Sequence, residues 1–342
     1  MTGVSVALAT YNGANYIDEQ LASLAGQQLV PDELVVADDA SSDDTLARVE
    51  KFAAAAPFPV RVHRNGNRVG YRANFMGAAS LCQAELIAFC DQDDIWEPRK
   101  LALCLKPFAD PEVLLVYHEA LAVTAADKPI APLEQRPERP MDYALGFAQI
   151  FRRSLLDLSW SWPLSLDHKE VNREERMAHD QWFFFLASVL GSIVRIDEPL
   201  VHYRQHGANS YGWSAPSSVA ALGRYLRPSF RGRTEEYAAL ERAAGRRAAI
   251  LVQLAEATTG AWRSRASLAA EKYRFLETLY RGRRRLYESV SPVERAAAFG
   301  RILASRGYRS KQDWGFGGKA LVADLCFGLV AGHRLSGTRK SR

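Results

Sequence analysis

The chain has 342 residues, a length that exceeds one typical domain and suits one large domain with an appended region. Hydrophobic residues make up 48% and charged residues 24% of the sequence, which excludes an intrinsically disordered chain. The net charge of +5 is unevenly distributed: residues 1–213 carry a net charge of −10, and residues 214–342 carry a net charge of +15. This asymmetry predicts two functional regions, the second of which faces an anionic partner.

The cysteines are scattered and include no CxxC pair, so the sequence predicts neither a zinc site nor a disulfide framework. The opening residues MTGVSVALAT lack the basic flank and the long apolar region of a signal peptide, and they are typical of a first β-strand. We therefore expect a reducing, cytoplasmic location.

Short apolar runs rich in β-branched residues predict strands at residues 4–10, 34–37, 60–63, 86–90 and 113–117. Between these runs, apolar residues at spacings of three and four predict helices with one buried face. Ile17, Leu21 and Leu24 mark the first helix. Ser42, a hydroxyl cap ahead of acidic residues, predicts that a second helix spans residues 43–54.

Strands that alternate with helices predict βαβ units and an α/β fold with a largely parallel sheet, buried on both faces. In such sheets, ligands bind beyond the carboxyl ends of the strands. Polar clusters directly follow three of the predicted strands: Thr10-Tyr11-Asn12, Asp38-Asp39 and Asp91-Gln92-Asp93-Asp94. We expect these clusters to converge on one edge of the sheet.

The stretch FCDQDDIWEPRKL, residues 89–101, places three aspartates within four positions. Crowded carboxylates repel one another unless a positive charge lies among them. Hard divalent cations such as Mg²⁺ and Mn²⁺ take oxygen ligands and commonly bridge to substrate phosphates, which favours a metal–nucleotide site. The alternative is a polar loop in which Asp94 caps the next helix.

The last third of the chain is basic and amphipathic. An apolar stripe is followed by the run RGRRR at residues 281–285. SPVE at 291–294 predicts a helix start, with serine as the cap and proline at the first helical position. The apolar segment 319–332 is shorter than the roughly 20 residues of a spanning helix and contains Asp324, so we do not expect it to cross a bilayer alone.

Three separated segments, in the correct order, resemble family 2 glycosyltransferases, which have the GT-A fold and transfer a sugar from a nucleotide donor with inversion. VSVALATYNGANYIDEQLASLAGQQLVPDELVVADDASSDDT resembles the opening of that family, and FCDQDDIWEPRKL resembles its DXD segment. HDQWFFFLASVLGSIVRIDEPLVHYRQHGANSYG is similar to the later portion of its rhamnosyltransferase-like branch. The resemblance covers about residues 3–212 and implies a GT-A-type nucleotide-binding fold with a mainly parallel central sheet, followed by a helical basic C-terminal region.

The resemblance assigns three residues to the nucleotide pocket: Thr10, Tyr11 and Asn12. It also implies that Asp39 accepts a hydrogen bond from the pyrimidine ring. RNGNRVGYRANF at 64–75 resembles the loop that closes on base and ribose, where Gly70 permits close backbone approach and Arg72 and Asn74 are polar contacts. From the residues alone, Asp39 also suits a helix cap and Arg72 a solvated surface position.

By the same resemblance, Asp93 is a ligand of Mn²⁺ or Mg²⁺, Asp91 contacts the ribose or the metal, and His206 reaches the metal or the diphosphate. Asp180 of AHDQW matches the residue that such enzymes use as general base. A carboxylate suits that task, because the acceptor hydroxyl must lose its proton as it attacks. The alternatives are an N-cap role for Asp180 and a structural role for His206.

One segment departs from the family pattern. YALGFAQIFRR at 143–153 keeps Gly146 but carries Phe147 and Gln149 where relatives commonly show a Gly-Cys/Ala-Thr-Met type loop. We expect these two side chains to alter the wall near the sugar or the acceptor. The departure leaves the identity of the substrate open, but it does not change the predicted reaction class.

Together these features predict a catalytic domain at residues 1–213 and a basic amphipathic helical region at 214–342. Within the catalytic domain, we expect a nucleotide-sugar half at about 1–118 and an acceptor half at about 119–213. The expected donor is a dTDP- or UDP-linked sugar, with rhamnose as one candidate, and the expected acceptor is a glycan or lipid-linked saccharide of surface polysaccharide synthesis.

The basic region favours contact with an anionic membrane surface, at the cytoplasmic face of the inner membrane, and a basic annex packed on the catalytic domain is the alternative. No nucleic acid partner is expected, because the sequence shows no nucleic-acid-binding motif.

Two other functions stay open at the level of sequence. A sugar-phosphate nucleotidyltransferase also combines an α/β fold with Mg²⁺, but it needs a Gly-rich, basic phosphate loop where this chain reads TYNGANYIDEQ. A non-catalytic nucleotide- or membrane-binding scaffold would not require the three acids together: Asp91, Asp93 and Asp180.

Overall fold

The computed structural model describes residues 3–169, 174–207, 233–310 and 313–330. The chain divides into two compact units. Unit 1 consists of Met1–Pro137, Tyr143–Trp160 and Ala178–Ala215, and unit 2 consists of Glu138–Asp142, Ser161–Met177 and Pro216–Arg342. The predicted domain boundary between residues 213 and 214 lies outside the described residues, as do residues 331 and 332 of the predicted apolar segment.

Unit 1 is built on one sheet, whose strands within the described residues are β1 (Val4–Thr10), β2 (Glu33–Asp38), β3 (Val60–Arg64), β4 (Leu86–Asp91), β5 (Ile95–Trp96), β6 (Val113–Thr124), β7 (Pro129–Leu133), β8 (Ile150–Arg152) and β9 (Ser192–Gln205). The order across the sheet is β3-β2-β1-β4-β8-β6-β9-β5, and β7 pairs with β6. The first four strands pair in parallel, whereas β8 runs antiparallel to both β4 and β6. All five predicted strands are therefore present.

The helices described in unit 1 are α1 (Ile17–Ala25), α2 (Thr45–Ala53), α3 (Tyr71–Leu81), α4 (Lys100–Cys104) and α5 (His179–Leu190). Short 3-10 segments occupy Lys106–Ala109, Gly146–Ala148 and Arg153–Leu164, the last of which continues into unit 2. Every residue of β1 and β2 is buried. Burial on both faces explains why these strands form continuous apolar runs in the sequence.

The start of α2 differs from the prediction. The helix begins at Thr45, two residues later than expected, and Asp44 occupies the cap position without a side-chain hydrogen bond. Asp43 Oδ1 accepts from the Thr45 N–H over 3.0 Å, and the Ser42 N–H donates to Asn12 Oδ1 over 2.9 Å. Ser42 therefore belongs to the loop that meets the end of β1 and does not cap the helix.

Unit 2 contains α6 (Arg233–Ala257), α7 (Gly260–Glu288), α8 (Pro292–Ala304) and α9 (Gly318–Ala323), followed by a π-helical turn at Asp324–Gly328. The predicted start of α8 is confirmed, because Ser291 accepts from the Glu294 N–H over 3.4 Å and Pro292 is the first helical residue. No helix in the described ranges is long and apolar enough to cross a membrane.

Part of the basic run in α7 is paired inside unit 2. Arg281 and Arg284 each donate to Glu241 over 2.8 Å, and Arg283 donates to the buried carboxylate of Asp324 over 2.7 Å. These arginines stabilise the helical unit, and their charge is partly compensated there.

Candidate active site

The carboxyl ends of β1, β2 and β4 lie side by side, because Thr10 is in register with Asp38 and Ala9 with Asp91. The Thr10 hydroxyl donates to Asp38 Oδ1 over 2.9 Å, and the Ser41 N–H donates to Asp38 Oδ2 over 2.8 Å. Asp38 is fully buried, so these bonds fix the backbone where the strands end. The prediction that the polar clusters converge on one edge is confirmed.

Tyr11 and Gln92 join the ends of β1 and β4 by a reciprocal pair of hydrogen bonds. The Tyr11 N–H donates to Gln92 Oε1 over 2.8 Å, and Gln92 Nε2 donates to the Tyr11 carbonyl over 3.1 Å. Gly13 leaves room for the Gln92 side chain, which a Cβ at that position would overlap. On the other side, the guanidinium carbon of Arg68 lies 4.0 Å from the centre of the Tyr11 ring.

Asn12 turns the chain at the end of β1, with φ of 48° in the left-handed region that asparagine tolerates. Its N–H donates to Ser41 Oγ over 2.9 Å, and its side-chain oxygen holds the Ser42 N–H. The loop therefore has a fixed shape beside the strand ends. A nucleotide contact from Thr10, Tyr11 or Asn12 stays a prediction.

Asp39 connects the end of β2 to the loop that precedes α3. Its carboxylate accepts from the N–H groups of Val69 and Gly70 over 2.6 and 2.8 Å, and from Asn65 Nδ2 over 3.2 Å. Only 2% of the residue is exposed, so in this structure Asp39 organises the loop that the sequence assigns to base and ribose. The proposed contact of Asp39 with the pyrimidine ring stays a prediction.

Gly70 precedes α3 with φ of 85° and ψ of 155°. This region of backbone conformation is open essentially to glycine alone. A Cβ on Gly70 would meet no atom within 4 Å, so the backbone conformation, rather than crowding, requires the glycine.

Asn74 is buried and has a structural role here, while its predicted ligand contact stays a prediction. Its Nδ2 donates to the carbonyls of Ala37 and Thr10 over 2.8 and 3.3 Å, and its Oδ1 accepts from Asn65 over 2.9 Å. Both amide hydrogens are engaged by these two carbonyls. Asn74 therefore ties α3 to the ends of β1 and β2.

We call residues 91–94 the acid turn. Asp91 is half-buried at the end of β4, and no described residue donates a hydrogen bond to its carboxylate. Burial, together with the negative charges of Asp93 and Asp180, raises the pKa of Asp91 to about 8. The acid turn is therefore a place where additional negative charge is costly and a positive ligand is favoured.

Asp93 and His206 lie together at this edge. His206 Nε2 is 2.8 Å from Asp93 Oδ2, and the imidazole stacks on the Tyr16 ring at 4.6 Å between centroids. In the described part of the chain, no three or more His, Cys, Asp or Glu side chains are arranged to hold a metal ion by themselves.

Arg204, which was not predicted as a site residue, holds the acid turn against β9. The buried guanidinium donates to the Asp93 carbonyl over 2.8 Å, to the Ala125 carbonyl over 2.5 Å and to Glu19 over 2.7 Å. Its backbone N–H donates to Asp94 Oδ1 over 3.1 Å. Arg204 lies in the quoted motif YRQHG, two residues before His206, and this position was the available signal.

Asp94 does not cap a helix, because the next element is β5 and its carboxylate is buried against β9. Its Oδ2 has no hydrogen-bond partner among the described residues. Burial, followed by the charges of Asp93 and Asp91, raises the pKa of Asp94 well above its usual range. The capping alternative is wrong, and Asp94 adds a further carboxyl group to the crowded acid turn.

Asp180 lies in the first turn of α5, after the cap residue Ala178, so the N-cap alternative for Asp180 is wrong. Its charge contributes to the raised pKa of Asp91, which means that the two carboxylates are close enough to repel each other. Asp180 is 9% exposed and one carboxylate oxygen accepts from the Gln181 N–H over 2.8 Å. The residue assigned as base and the acid turn therefore belong to one region of unit 1.

Phe147 and Gln149 do not form a wall of the site, which corrects the sequence expectation. Phe147 is buried and stacks on Tyr203 at 4.7 Å between centroids. Gln149 is fully buried, and its amide donates to the Asp180 carbonyl over 3.1 Å. Since the Phe89 N–H of β4 donates to the Gln149 carbonyl over 3.2 Å, Gln149 connects β4 to the start of α5.

His179, beside Asp180, is a second residue of this region that was not predicted as a site residue. Its ring stacks on Phe75 at 3.8 Å between centroids, and both ring nitrogens lack a hydrogen-bond partner within the described residues. Burial, with a smaller effect from Arg72, lowers the pKa of His179 to about 3. The imidazole is therefore neutral near pH 7, next to the predicted base.

Comparison with known proteins shows which proteins this chain is similar to. Residues 5–166 match the family model described as Glycosyl transferase family 2. An uncharacterized glycosyltransferase of Nostoc sp. strain PCC 7120 is 27% identical over 229 residues, which cover 64% of this chain and 69% of that protein. The dTDP-rhamnosyl transferase RfbG of Shigella flexneri is 36% identical over 100 residues, which cover 28% of this chain and 34% of RfbG.

The chain spans between 59% and 69% of the length of the curated relatives that it matches over more than 200 residues. Among solved structures, that of S. aureus TarS 1–349 in complex with UDP-GlcNAc covers 91% of this chain and 88% of that chain. It has a TM-score of 0.51 at 18% sequence identity, a likeness that shows the fold. The fold is GT-A-like, as expected, and residues 5–166 of the chain are similar to glycosyl transferase family 2.

Proposed function

We propose that unit 1 transfers a sugar from a nucleoside-diphosphate donor to an acceptor hydroxyl with inversion at the anomeric carbon. One observation carries the proposal: the edge of the sheet that holds Asp91, whose carboxylate accepts no hydrogen bond from a described residue, also lies within electrostatic reach of Asp180. An acid turn that favours a positive ligand and a second, separate carboxylate are the two parts that this reaction needs.

Asp93, Asp91 and His206 would hold Mn²⁺ or Mg²⁺ together with the diphosphate of the donor. The residues fit such an ion, because Asp91 lacks a hydrogen-bond donor and His206 and Asp93 present a nitrogen and an oxygen 2.8 Å apart. A bound divalent ion supplies positive charge for the leaving nucleoside diphosphate. The diphosphate completes a ligand set that the described side chains do not provide alone.

Asp180 accepts the proton of the acceptor hydroxyl as that oxygen attacks the anomeric carbon from the side opposite the diphosphate. Gln149 and the first turn of α5 hold the Asp180 backbone, and the Gln181 N–H orients one carboxylate oxygen. A base placed in this way contributes about 10²–10⁴-fold to the rate.

The donor that we propose is a pyrimidine nucleotide sugar, either dTDP- or UDP-linked, with rhamnose as the first candidate sugar. The resemblance to the rhamnosyltransferase-like branch and the partial match to the dTDP-rhamnosyl transferase RfbG support this choice. The acceptor that we propose is a glycan or lipid-linked saccharide of surface polysaccharide synthesis.

The C-terminal end of unit 2 supports a peripheral contact with an anionic membrane. Val290, Val293 and Val330 are each more than 70% exposed, and Arg295 donates to the backbone carbonyls of both Val290 and Val330. We expect co-sedimentation with phosphatidylglycerol vesicles but not with pure phosphatidylcholine vesicles, and weaker binding after Val293→Asp. Equal binding to both vesicle types, or none, would contradict this contact.

A thermal-shift panel of nucleotide sugars, with and without Mn²⁺, tests the donor. A ligand at a hundredfold excess over its Kd stabilises the native state by about 2.7 kcal/mol, so the true donor raises the melting temperature selectively and more strongly with Mn²⁺. The selected donor is then tested for transfer to a saccharide acceptor. No shift with any nucleotide sugar would contradict the proposed donor site, and binding without transfer would favour a scaffold.

A further inference from the structure

Tyr16 is a half-buried aromatic residue that has no part in the proposed reaction. It occupies the cap position of α1, where its N–H donates to the Gly13 carbonyl over 3.0 Å and its carbonyl accepts from the Glu19 N–H over 3.1 Å. Behind it, α1 packs into the core through Ile17 and Leu21. The ring of Tyr16 is therefore carried by a backbone that is fixed on both sides.

The Tyr16 ring contacts two side chains at the end of β9. The His206 imidazole stacks on it with 4.6 Å between centroids and 23° between the ring planes. The guanidinium carbon of Arg204 lies 5.0 Å from the centre of the same ring. Stacking and cation–π contact both favour a flat aromatic ring at this position. One side chain of α1 thus meets two residues of the distant YRQHG motif.

These two residues hold different parts of Asp93. The Arg204 guanidinium donates to the Asp93 carbonyl over 2.8 Å and to Glu19, one turn after Tyr16, over 2.7 Å. His206 Nε2 lies 2.8 Å from Asp93 Oδ2. Hydrogen bonds fix Arg204 with or without the ring, whereas His206 follows the last residue of β9. The ring therefore matters most for the orientation of His206.

We propose that Tyr16 is a positioning residue, whose ring holds the His206 imidazole with Nε2 towards Asp93, ready to bind a divalent ion. This inference rests on the proposed function, which assigns His206 and Asp93 to the ion. An imidazole that is already oriented loses less side-chain freedom when the ion binds. Removal of a group that orients a metal-binding histidine typically weakens metal affinity about 10–100-fold. Because the ring makes the contact, phenylalanine should serve as well as tyrosine.

Titration of the full chain with Mn²⁺, followed by the electron paramagnetic resonance signal of free Mn²⁺, measures ion affinity without turnover. It is carried out with saturating UDP and, separately, with saturating dTDP. We expect Tyr16→Leu, which removes the ring, to weaken Mn²⁺ binding about tenfold. Tyr16→Phe, which keeps the ring, should stay within about twofold of the wild type. Phe52→Leu is the matched control, because it removes a half-buried ring of α2 that packs on Phe58, and it should match the wild type.

A double-mutant cycle with His206→Ala separates positioning from a direct effect of Tyr16 on the ion. If the ring acts through the imidazole, Tyr16→Leu should cause no further loss of Mn²⁺ affinity once His206→Ala is present. Additive losses would overturn the inference, as would wild-type Mn²⁺ affinity in Tyr16→Leu. A loss in Tyr16→Phe as large as that in Tyr16→Leu would assign the effect to the hydroxyl, and a loss as large in Phe52→Leu would assign it to general destabilisation; either result overturns the inference.

Urea unfolding checks that each variant is folded. Should Tyr16→Leu fail to fold, Tyr16→Met, which has an unbranched side chain and no ring, takes its place in the titration. Failure of both to fold while Phe52→Leu folds would make the ring purely structural and overturn the inference. If the wild type binds no Mn²⁺ with either nucleotide, the proposed ion site fails and the inference fails with it. Wild-type affinity in the ring-less variants instead leaves the ion site intact and removes only the role of Tyr16.

Discussion

Two buried aspartates, one in each unit, show how differently this chain treats negative charge. In unit 2, Asp324 is fully buried, and its carboxylate accepts from Arg283, Tyr287 and Tyr308 over 2.7, 2.8 and 2.9 Å. In unit 1, Asp94 is equally buried, yet one of its oxygens has no partner within the described residues.

The contrast separates a structural charge from a functional one. A buried carboxylate with all its hydrogen bonds made contributes to one fixed packing arrangement, as Asp324 does. Carboxylates that are crowded and under-satisfied, as in the acid turn, are tolerated where a ligand completes them. The distinction predicts that changes at the two places affect different measurable quantities.

The largest expected effect is on turnover. Replacing Asp180 with asparagine removes the base while keeping the size of the side chain, so kcat should fall by about 10²–10⁴-fold. Donor affinity, measured by isothermal titration, should stay within about twofold, because Asp180 acts on the acceptor. A parallel loss of donor affinity would mean that Asp180 holds the nucleotide sugar instead.

Asp324→Asn should have a comparable effect on the stability of unit 2 alone. The substitution leaves the Arg283 guanidinium buried without its counter-charge, which costs about 3–5 kcal/mol in urea unfolding. Glu271→Gln, on an exposed part of α7, is the matched control and should be neutral. Loss of donor binding at unchanged stability would remove the contrast between the two aspartates.

In unit 1, Asp91→Asn should instead raise the free energy of unfolding and weaken metal-dependent donor binding. Because the folded structure raises the pKa of Asp91, the ionised carboxylate is less favourable in the native state than in the unfolded chain. A neutral amide removes this cost, so the variant should gain about 1 kcal/mol in urea unfolding at pH 8. The same variant should lose the Mn²⁺-dependent part of the donor thermal shift, whereas an intact Mn²⁺ effect would count against Asp91 as a ligand.

The parts of the site that follow from local sequence were predictable. Continuous apolar runs followed by polar residues predicted β1, β2 and β4 and the place where they end, because the period of a strand and the burial of a parallel sheet are local properties. The acid turn was visible for the same reason.

The residues that hold the site in place were not predictable from the sequence, because their contacts join segments that are far apart in the chain. Arg204 reaches the acid turn from 111 residues away, and Gln149 reaches Asp180 across 31 residues. The role of Asn74 likewise follows from packing, which polar residue types in a motif do not reveal. The predicted start of α2 was wrong for a local reason, because several neighbouring polar residues suit the cap position equally well.

The smallest expected effect concerns pH and the neutral imidazole of His179. Its native pKa of about 3 lies below the usual 6.5 of an unfolded histidine, so the unfolded chain binds the proton first and stability is lost as pH falls from 6.5 towards 3. Between pH 7 and 5.5 this site should cost about 1 kcal/mol. The pKa values of the buried His118 and the half-buried His168 are also lowered, so both residues add slopes of the same sign. Urea unfolding of His179→Asn should therefore show a shallower pH dependence than the wild type, and an identical slope would mean that the imidazole is charged, or solvated, in the native state.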